Sequence, residues 1–344
     1  MEAQTFYKHT IRNKLMNTER SLKDYALITA KGLGMGAADV VPGVSGGTIA
    51  FITGIYEELL TSISNINLKA LKVLRQDGIK SFWRHINANF LIALLLGVAI
   101  SFVSLAKLVT YLMENHIITL WSFFFGLVAA SILYVGKQVG KWNVNTIVSL
   151  IVGAIVAYSV TILPPLGGSE SSIFIFFSGF IAICAMILPG ISGSFILLIL
   201  GAYKPVMAAF SDFNVTILGM FGAGCVIGLL SFARVLKFLF TKYKDITIAV
   251  LTGFLIGSLN KIWPWKHVSE IFVKHQGEAD EEVISLVETN VMPGSYDTFT
   301  HNSSTITGYV EGDANLGMAI LFFVIGFAII FGMEFAAKKM KKSN

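Results

Sequence analysis

Charge is what this sequence has least of. Only 14% of its 344 residues are Asp, Glu, Lys or Arg, against about 25% in soluble globular proteins. So few charges cannot cover a water-facing surface, which excludes an ordinary soluble enzyme, a disordered chain and a nucleic-acid binder. Cysteine is nearly absent. Cys184 and Cys225 both lie in apolar runs, so no disulfide framework is expected. Proline is scarce too, at 7 residues, which makes its position informative. Residues 1–24 carry Lys8, Arg12, Lys14, Arg20 and Lys23 with no apolar stretch behind them. That is not the pattern of a cleaved leader; the expectation is a retained basic segment on a membrane surface, or else a disordered tail.

Apolar sequence and glycine are abundant, with 54% hydrophobic residues and 32 glycines. Glycine is frequent in membrane helices because it lets backbones approach. Six runs reach the roughly 20 apolar residues of a membrane span: 89–113, 117–136, 144–164, 214–240, 245–263 and 315–337. Two further stretches, 25–60 and 173–203, break at Pro42-Gly43 and Pro189-Gly190. Each half of these, about 14–18 residues, is too short for a membrane about 30 Å thick. Each stretch therefore reads as a helical hairpin that enters the membrane and turns back.

Lysine and arginine placement tests this count. With the N-terminus inside, linker 61–88 is inside and carries Lys69, Lys72, Arg75, Lys80 and Arg84. The loop with Lys137 and Lys141, the loop with Lys242 and Lys244, and the tail 338–344 with its lysines also fall inside. The turn near Glu114 and loop 165–172 fall outside and hold no Lys or Arg. Segment 66–86 reads as an amphipathic interfacial helix interrupted near Asp77-Gly78. Segment 264–314, with Glu270, Glu288, Asp297, Glu311 and other acids, reads as an acidic extracytoplasmic insertion.

The chain repeats itself. VPGVSGGTIAFITGIY at 41–56 aligns with LPGISGSFILLILGAY at 188–203, 147 residues on. SLAKLV at 104–109 aligns with SFARVL at 231–236, 127 residues on. Each half, 25–164 and 173–337, is thus one hairpin plus three spans. Three spans is an odd number, so the second half is upside down relative to the first. The expected fold class is an all-α polytopic membrane protein of two inverted-topology repeats, an organisation shared by many secondary transporters.

A helix broken in mid-membrane presents free N–H groups at the start of its second half. Glycine permits close approach there and serine adds a hydroxyl, which together make an anion site. PGVSGG and PGISGS supply those parts, giving Gly43, Ser45, Gly46, Gly47, Gly190, Ser192, Gly193 and Ser194 as candidate anion-binding residues. The alternative is glycine serving helix packing alone. Charges inside spans count as functional by default. Lys107 and Arg234 then sit toward opposite leaflets as cations that guide an anion, unless both snorkel to the nearest interface. Asp39, whose matching position is Met186, is a candidate for coupling to H+ or Na+, unless it caps the second half-helix or pairs with a lysine. Lys31, two turns before it on the same face, is a third candidate guiding cation, and Glu57, which emerges with Glu58 at the end of the hairpin, is a second candidate for ion coupling unless it sits in water. No resident cofactor and no metal site are expected.

These residues, above all MGAADVVPGVSGGTIAFITGIYEELL at 35–60 with LPGISGSFILLILGAY at 188–203, resemble the polyprenyl-phosphate transporter family of bacteria over roughly 25–337. The resemblance implies a plasma-membrane flippase for undecaprenyl phosphate, the lipid carrier of cell-wall synthesis, returned from the outer to the inner leaflet. It implies phosphate contacts from Gly43, Ser45, Gly46, Gly190, Ser192 and Gly193 and a polyprenyl-phosphate lipid as partner, while the lysine placement puts both termini on the cytoplasmic side and the composition leaves no nucleic-acid partner. A homo-oligomer is compatible with it. A small-anion channel or exchanger is the rival reading, since opposed broken helices also suit small anions. Gly43 to Gly47 also match G-x-S-x-G of serine hydrolases. However, His9, His85, His116, His267, His275 and His301 all lie in loops or at span edges, and the motif occurs twice, so no enzyme is expected. A purely structural scaffold would leave the buried charges without a purpose.

Overall fold

The computed structural model describes residues 20–40, 45–104, 106–163, 168–169, 171–274 and 282–342. The first break, Pro42-Gly43, lies outside them. Helix α1 (Leu22–Val40) leads to two short helices, α2 (Gly46–Ile52) and α3 (Tyr56–Ser64), and then to α4 (Leu68–His85). Helices α5 (Ala88–Ser104), α6 (Ala106–Asn115), α7 (Ile117–Gly136) and α8 (Val144–Ile162) follow. The second series runs α9 (Ser172–Ile187), α10 (Gly193–Leu200), α11 (Tyr203–Ser211), α12 (Val215–Lys242) and α13 (Lys244–Ser258), and closes with α14 (Leu316–Lys342).

Among the described residues three helices, α7, α8 and α12, are long and apolar enough to cross a membrane. The bent pairs α4–α5 (48°) and α10–α11 (111°) raise the number to as many as five. This is a multi-pass helical protein, with two corrections to the expected spans. Run 89–113 divides between α5 and α6, and run 245–263 is helical only as far as Ser258. The return limbs of the hairpins are also not single helices. Each bends at a glycine in the left-handed region, Gly54 at φ 75° and Gly201 at φ 70°, where a side chain would be strained. Linker helix α4 does contain a break, at Gly78 with φ 78°.

The all-α expectation fails between α13 and α14. Here two antiparallel β-strand pairs form, β1 (Lys266–Lys274) with β2 (Glu282–Asn290) and β3 (Asp297–Asn302) with β4 (Thr305–Glu311). The strands run in near alternation of β-branched and polar residues, as in HVSEIFV and TITGYVE. Trp263 and Trp265 pack edge to face, their ring centres 5.5 Å apart. They donate their indole N–H groups to Val291 and Ala314 carbonyls and so fasten the strand pairs to the membrane body.

Element limits recur at the two spacings. Helices α2 and α10, and α3 and α11, start 147 residues apart. The interval 88–115 of α5 and α6 matches α12 at 215–242, 127 residues on, and α7 and α13 also start 127 apart. Packing recurs as well. α1 lies along α5 as α9 lies along α12, and α7 packs on α14 as α13 packs on α8. The last two pairings cross between the halves. Glycine makes each approach possible. A methyl group on Gly97 would collide with the Thr29 carbonyl, and one on its counterpart Gly224 with that of Phe176. Gly126 lies against Phe323 of α14, and Gly253 against Leu150 of α8.

In lipid such close packing replaces the hydrophobic effect as the force between helices. Gly97→Leu should therefore lower stability by about 1–3 kcal/mol or more, read as thermal unfolding of the detergent-solubilised protein. Gly219→Leu, at a position with no neighbour within 4 Å, should leave it unchanged.

Candidate functional site

The two serine–glycine turns meet at the centre of the molecule. Pro189 holds Leu188 in an extended conformation (φ −70°, ψ 132°), which ends α9. Gly190 follows at φ 86°. The carbonyls of a helix end have no partner within the helix, and α9 ends away from water. The first half supplies what is missing. The buried Ser45 hydroxyl lies 3.0 Å from the Met186 oxygen and 3.2 Å from that of Leu188, donating to the pair. The Tyr56 hydroxyl donates to Ile187 at 3.1 Å. In return the Gly190 N–H donates to Thr48 Oγ1 at 2.9 Å. Tyr56 is itself fixed by edge-on packing against Phe51 and Phe240, at 5.1 and 5.7 Å. Gly47 must be glycine here, because a Cβ would press on the Ile187 oxygen at 2.5 Å.

The two turns differ in how their amides are used. At the first, Ser45 is the N-cap of α2 and accepts from Gly47 N–H at 3.1 Å. Asp39 Oδ1 accepts from Gly46 N–H at 2.7 Å. The Thr48 amide bonds the Ser45 carbonyl at 2.9 Å. The first turn thus carries its own anion. At the second turn Met186 stands where Asp39 would be. Ser192 makes no cap bond; its hydroxyl pairs with that of Ser194 at 2.9 Å. Among the described residues, the N–H groups of Gly193, Ser194 and Phe195 meet no acceptor. A free helix start with two buried or half-buried hydroxyls is an anion-receptive surface.

The other expected residues fall as follows. Gly43 lies outside the described residues, as does the side chain of Lys107 on α6. Lys31 donates to the Thr53 carbonyl at 2.8 Å. It therefore sits at the C-terminal end of α2 while Asp39 sits at its N-terminal end, both matching the helix dipole. Arg234 donates to the Ile66 carbonyl at 3.2 Å, just beyond α3, and is exposed. Glu57 forms an exposed ion pair with Lys244 at 2.8 Å. None of these four touches the second turn.

Sequence reasoning passed over Lys261. It closes a cavity of about 10 Å³ whose other walls include Gly190, Ser192 and Phe195, and its ammonium lies 4.5 Å from the Phe195 ring centre. Glu288 of β2 joins it to Lys266 of β1: one carboxylate oxygen lies 2.8 Å from each ammonium. Burial pushes Lys266 down to about 8 despite the pull of Glu288. Burial raises Glu288, yet Lys266 and then Lys261 outweigh it and hold the carboxyl at about 2. Lys261 lies inside the predicted run 245–263 and Lys237 inside 214–240. The rule that singled out Lys107 and Arg234 applied equally to them. Among the described residues no cluster suits a metal ion.

Comparisons with known proteins place the sequence in a family. Residues 35–280 match the model of the undecaprenyl phosphate translocase-like family. The chain is 45% identical over 316 residues to a polyprenyl-phosphate transporter of Vibrio cholerae serotype O1, covering 92% of this chain and 98% of that protein. It is 33% identical over 252 residues to a polyprenyl-phosphate transporter of Staphylococcus aureus, covering 68% and 84%. No solved structure matches. The relatives are named as transporters, not enzymes.

The clasp between the turns can be tested by removing one hydroxyl. Tyr56→Phe leaves the Ile187 carbonyl buried without a partner and should cost about 1–3 kcal/mol, visible as a lower unfolding temperature. Thr241→Val, on the exposed face of α12, should change it by less than about 0.5 kcal/mol.

Proposed function

Because this chain belongs to the undecaprenyl phosphate translocase-like family, we propose that it moves polyprenyl phosphate across the bacterial plasma membrane. The direction is outer to inner leaflet, returning the carrier to cell-wall synthesis. Both termini are cytoplasmic, and the two halves are inverted repeats whose turns share one central site. The observation that carries the reading is the contrast between the turns: one start of a half-helix is occupied by Asp39, and the other is open.

The chemistry follows from that contrast. A phosphomonoester carries about −1.5 to −2 charge at neutral pH with three acceptor oxygens. The open start of α10 offers the Gly193, Ser194 and Phe195 amides with the Ser192 and Ser194 hydroxyls, an array that suits such a head. The first turn, with Gly43, Ser45, Gly46 and Gly47, forms the facing wall. There Asp39 competes with the head for the Gly46 amide. Neutralising Asp39 with a proton or Na+ frees that amide, so the phosphate can pass from one half-helix to the other. Coupling in this scheme is competition between two anions for one set of N–H groups. Lys107 and Arg234 act further out, one toward each leaflet, and the isoprenoid tail stays in lipid along the glycine-lined helix pairs.

Two outcomes are expected in proteoliposomes that report leaflet exchange of a labelled polyprenyl phosphate. Ser192→Ala with Ser194→Ala removes two hydroxyls bonded only to each other, so folding should hold while exchange falls about tenfold or more; hydrogen bonds to charged groups contribute roughly 1.5–3 kcal/mol. Asp39→Asn should flatten the dependence of exchange on pH or on sodium. Unchanged exchange in the first variant, or anion flux without lipid movement in the parent protein, would contradict the reading.

A further inference from the structure

The insertion between α13 and α14 ends its contact with the membrane body at an ion cluster that the transport scheme above does not use. Lys261 follows α13 and Lys266 opens β1; both place their ammonium groups on the same oxygen of Glu288, at 2.8 Å. Lys266 is 8% exposed. It also donates to the Lys261 carbonyl and lies 5.0 Å from the centre of the Trp121 ring. Among the described residues two cations share one anion in a site nearly closed to water, a surplus of one positive charge. Burying such a surplus is costly unless a further anion visits. The surplus faces the right place, because Lys261 forms the wall of the cavity that reaches Gly190 and Ser192 at the open turn.

We propose that Lys261 and Lys266 are the outer docking pair for a phosphomonoester head, and that Glu288 is a resident anion the head displaces. The inference rests on the transport reading given above and adds the step that precedes central binding. A carboxylate offers one negative charge to two ammoniums; a phosphomonoester offers up to two, so exchange neutralises the pair. The present cavity of about 10 Å³ has room for about one water. A head therefore reaches Ser192 only when Glu288 and the β-strand pair that carries it give way. The strand pairs act as an outer latch, closed by an ion pair and opened by the substrate's own charge.

The test uses the full chain in proteoliposomes and measures exchange rate against the concentration of labelled polyprenyl phosphate. Glu288→Gln removes the competitor and should lower the half-saturating concentration about threefold to tenfold. Lys261→Gln should raise it about tenfold, and Lys261→Arg should restore it. A merely structural ion pair would shift both Gln variants in the same direction or shift neither, and that result overturns the latch. If Glu288→Gln folds poorly, Glu288→Asp, with its shorter reach, should show a smaller decrease; an increase overturns the proposal. Inorganic phosphate is added separately to identify the source of the anion. Competition by it at concentrations near those of the lipid would make free phosphate the ligand and overturn a lipid dock. Absence of exchange in the parent protein would instead sink the transport reading itself.

Discussion

A helix that stops inside a membrane leaves carbonyls on one side of the gap and N–H groups on the other, with no water to satisfy either. The architecture follows from how those groups find partners. Three consecutive carbonyls at the end of α9 are covered by hydroxyls from the other half, those of Ser45 and Tyr56. Thr48 completes the exchange by accepting from Gly190. The hydroxyls are ideal for this because each both donates and accepts. Ser45 uses both capacities, toward Met186 and Leu188 on one side and Gly47 on the other. The halves are thus locked together through the same turns that carry the candidate site. Strength and function draw on one small set of polar atoms.

Element spacings and helix pairings recur between the two series of helices, and the differences between them bear on the proposed chemistry. Gly97 and Gly224, or Gly54 and Gly201, do the same work in each half. Several substitutions separate the halves at the centre, and the one at Asp39 bears most directly on the half-helix starts. Asp39 fills the first half-helix start, while Met186 at the matching position leaves the second open. A protein with two open starts would hold a phosphate too well to release it, and one with two filled starts would not take it up. One of each allows moderate binding, which transport needs. A similar arrangement recurs at the β-strand insertion, where Glu288 holds two lysines.

Much of this was legible in the sequence because its causes are local. Pro189-Gly190, the serine that follows and the repeat spacing of 147 are visible as letters, and a break in an apolar run has few other meanings. The missed features depend on partners distant in sequence. Gly54 and Gly201 look like packing glycines until their positive φ is seen. Tyr56 and Tyr203 were matched in the repeat, but a tyrosine does not announce that it reaches a carbonyl 131 residues away. The acidic insertion reads as a solvated segment because its acidic composition outweighs the short alternations in HVSEIFV and TITGYVE. Asp39 and Lys31, adjacent on one face of α1, serve opposite ends of α2, a separation that needs the tertiary fold to appear.

The central claim is that the open turn of the second half receives the anionic head while Asp39 holds the first. A cryo-electron microscopy map of the protein with bound polyprenyl phosphate in a lipid nanodisc addresses it most directly. The account predicts phosphate density within hydrogen-bonding distance of the Gly193 and Ser194 amides, with the chain of Ser45 and Gly46 facing it. Phosphate density on the lipid-facing surface, with none at the Gly193 and Ser194 amides, would contradict it.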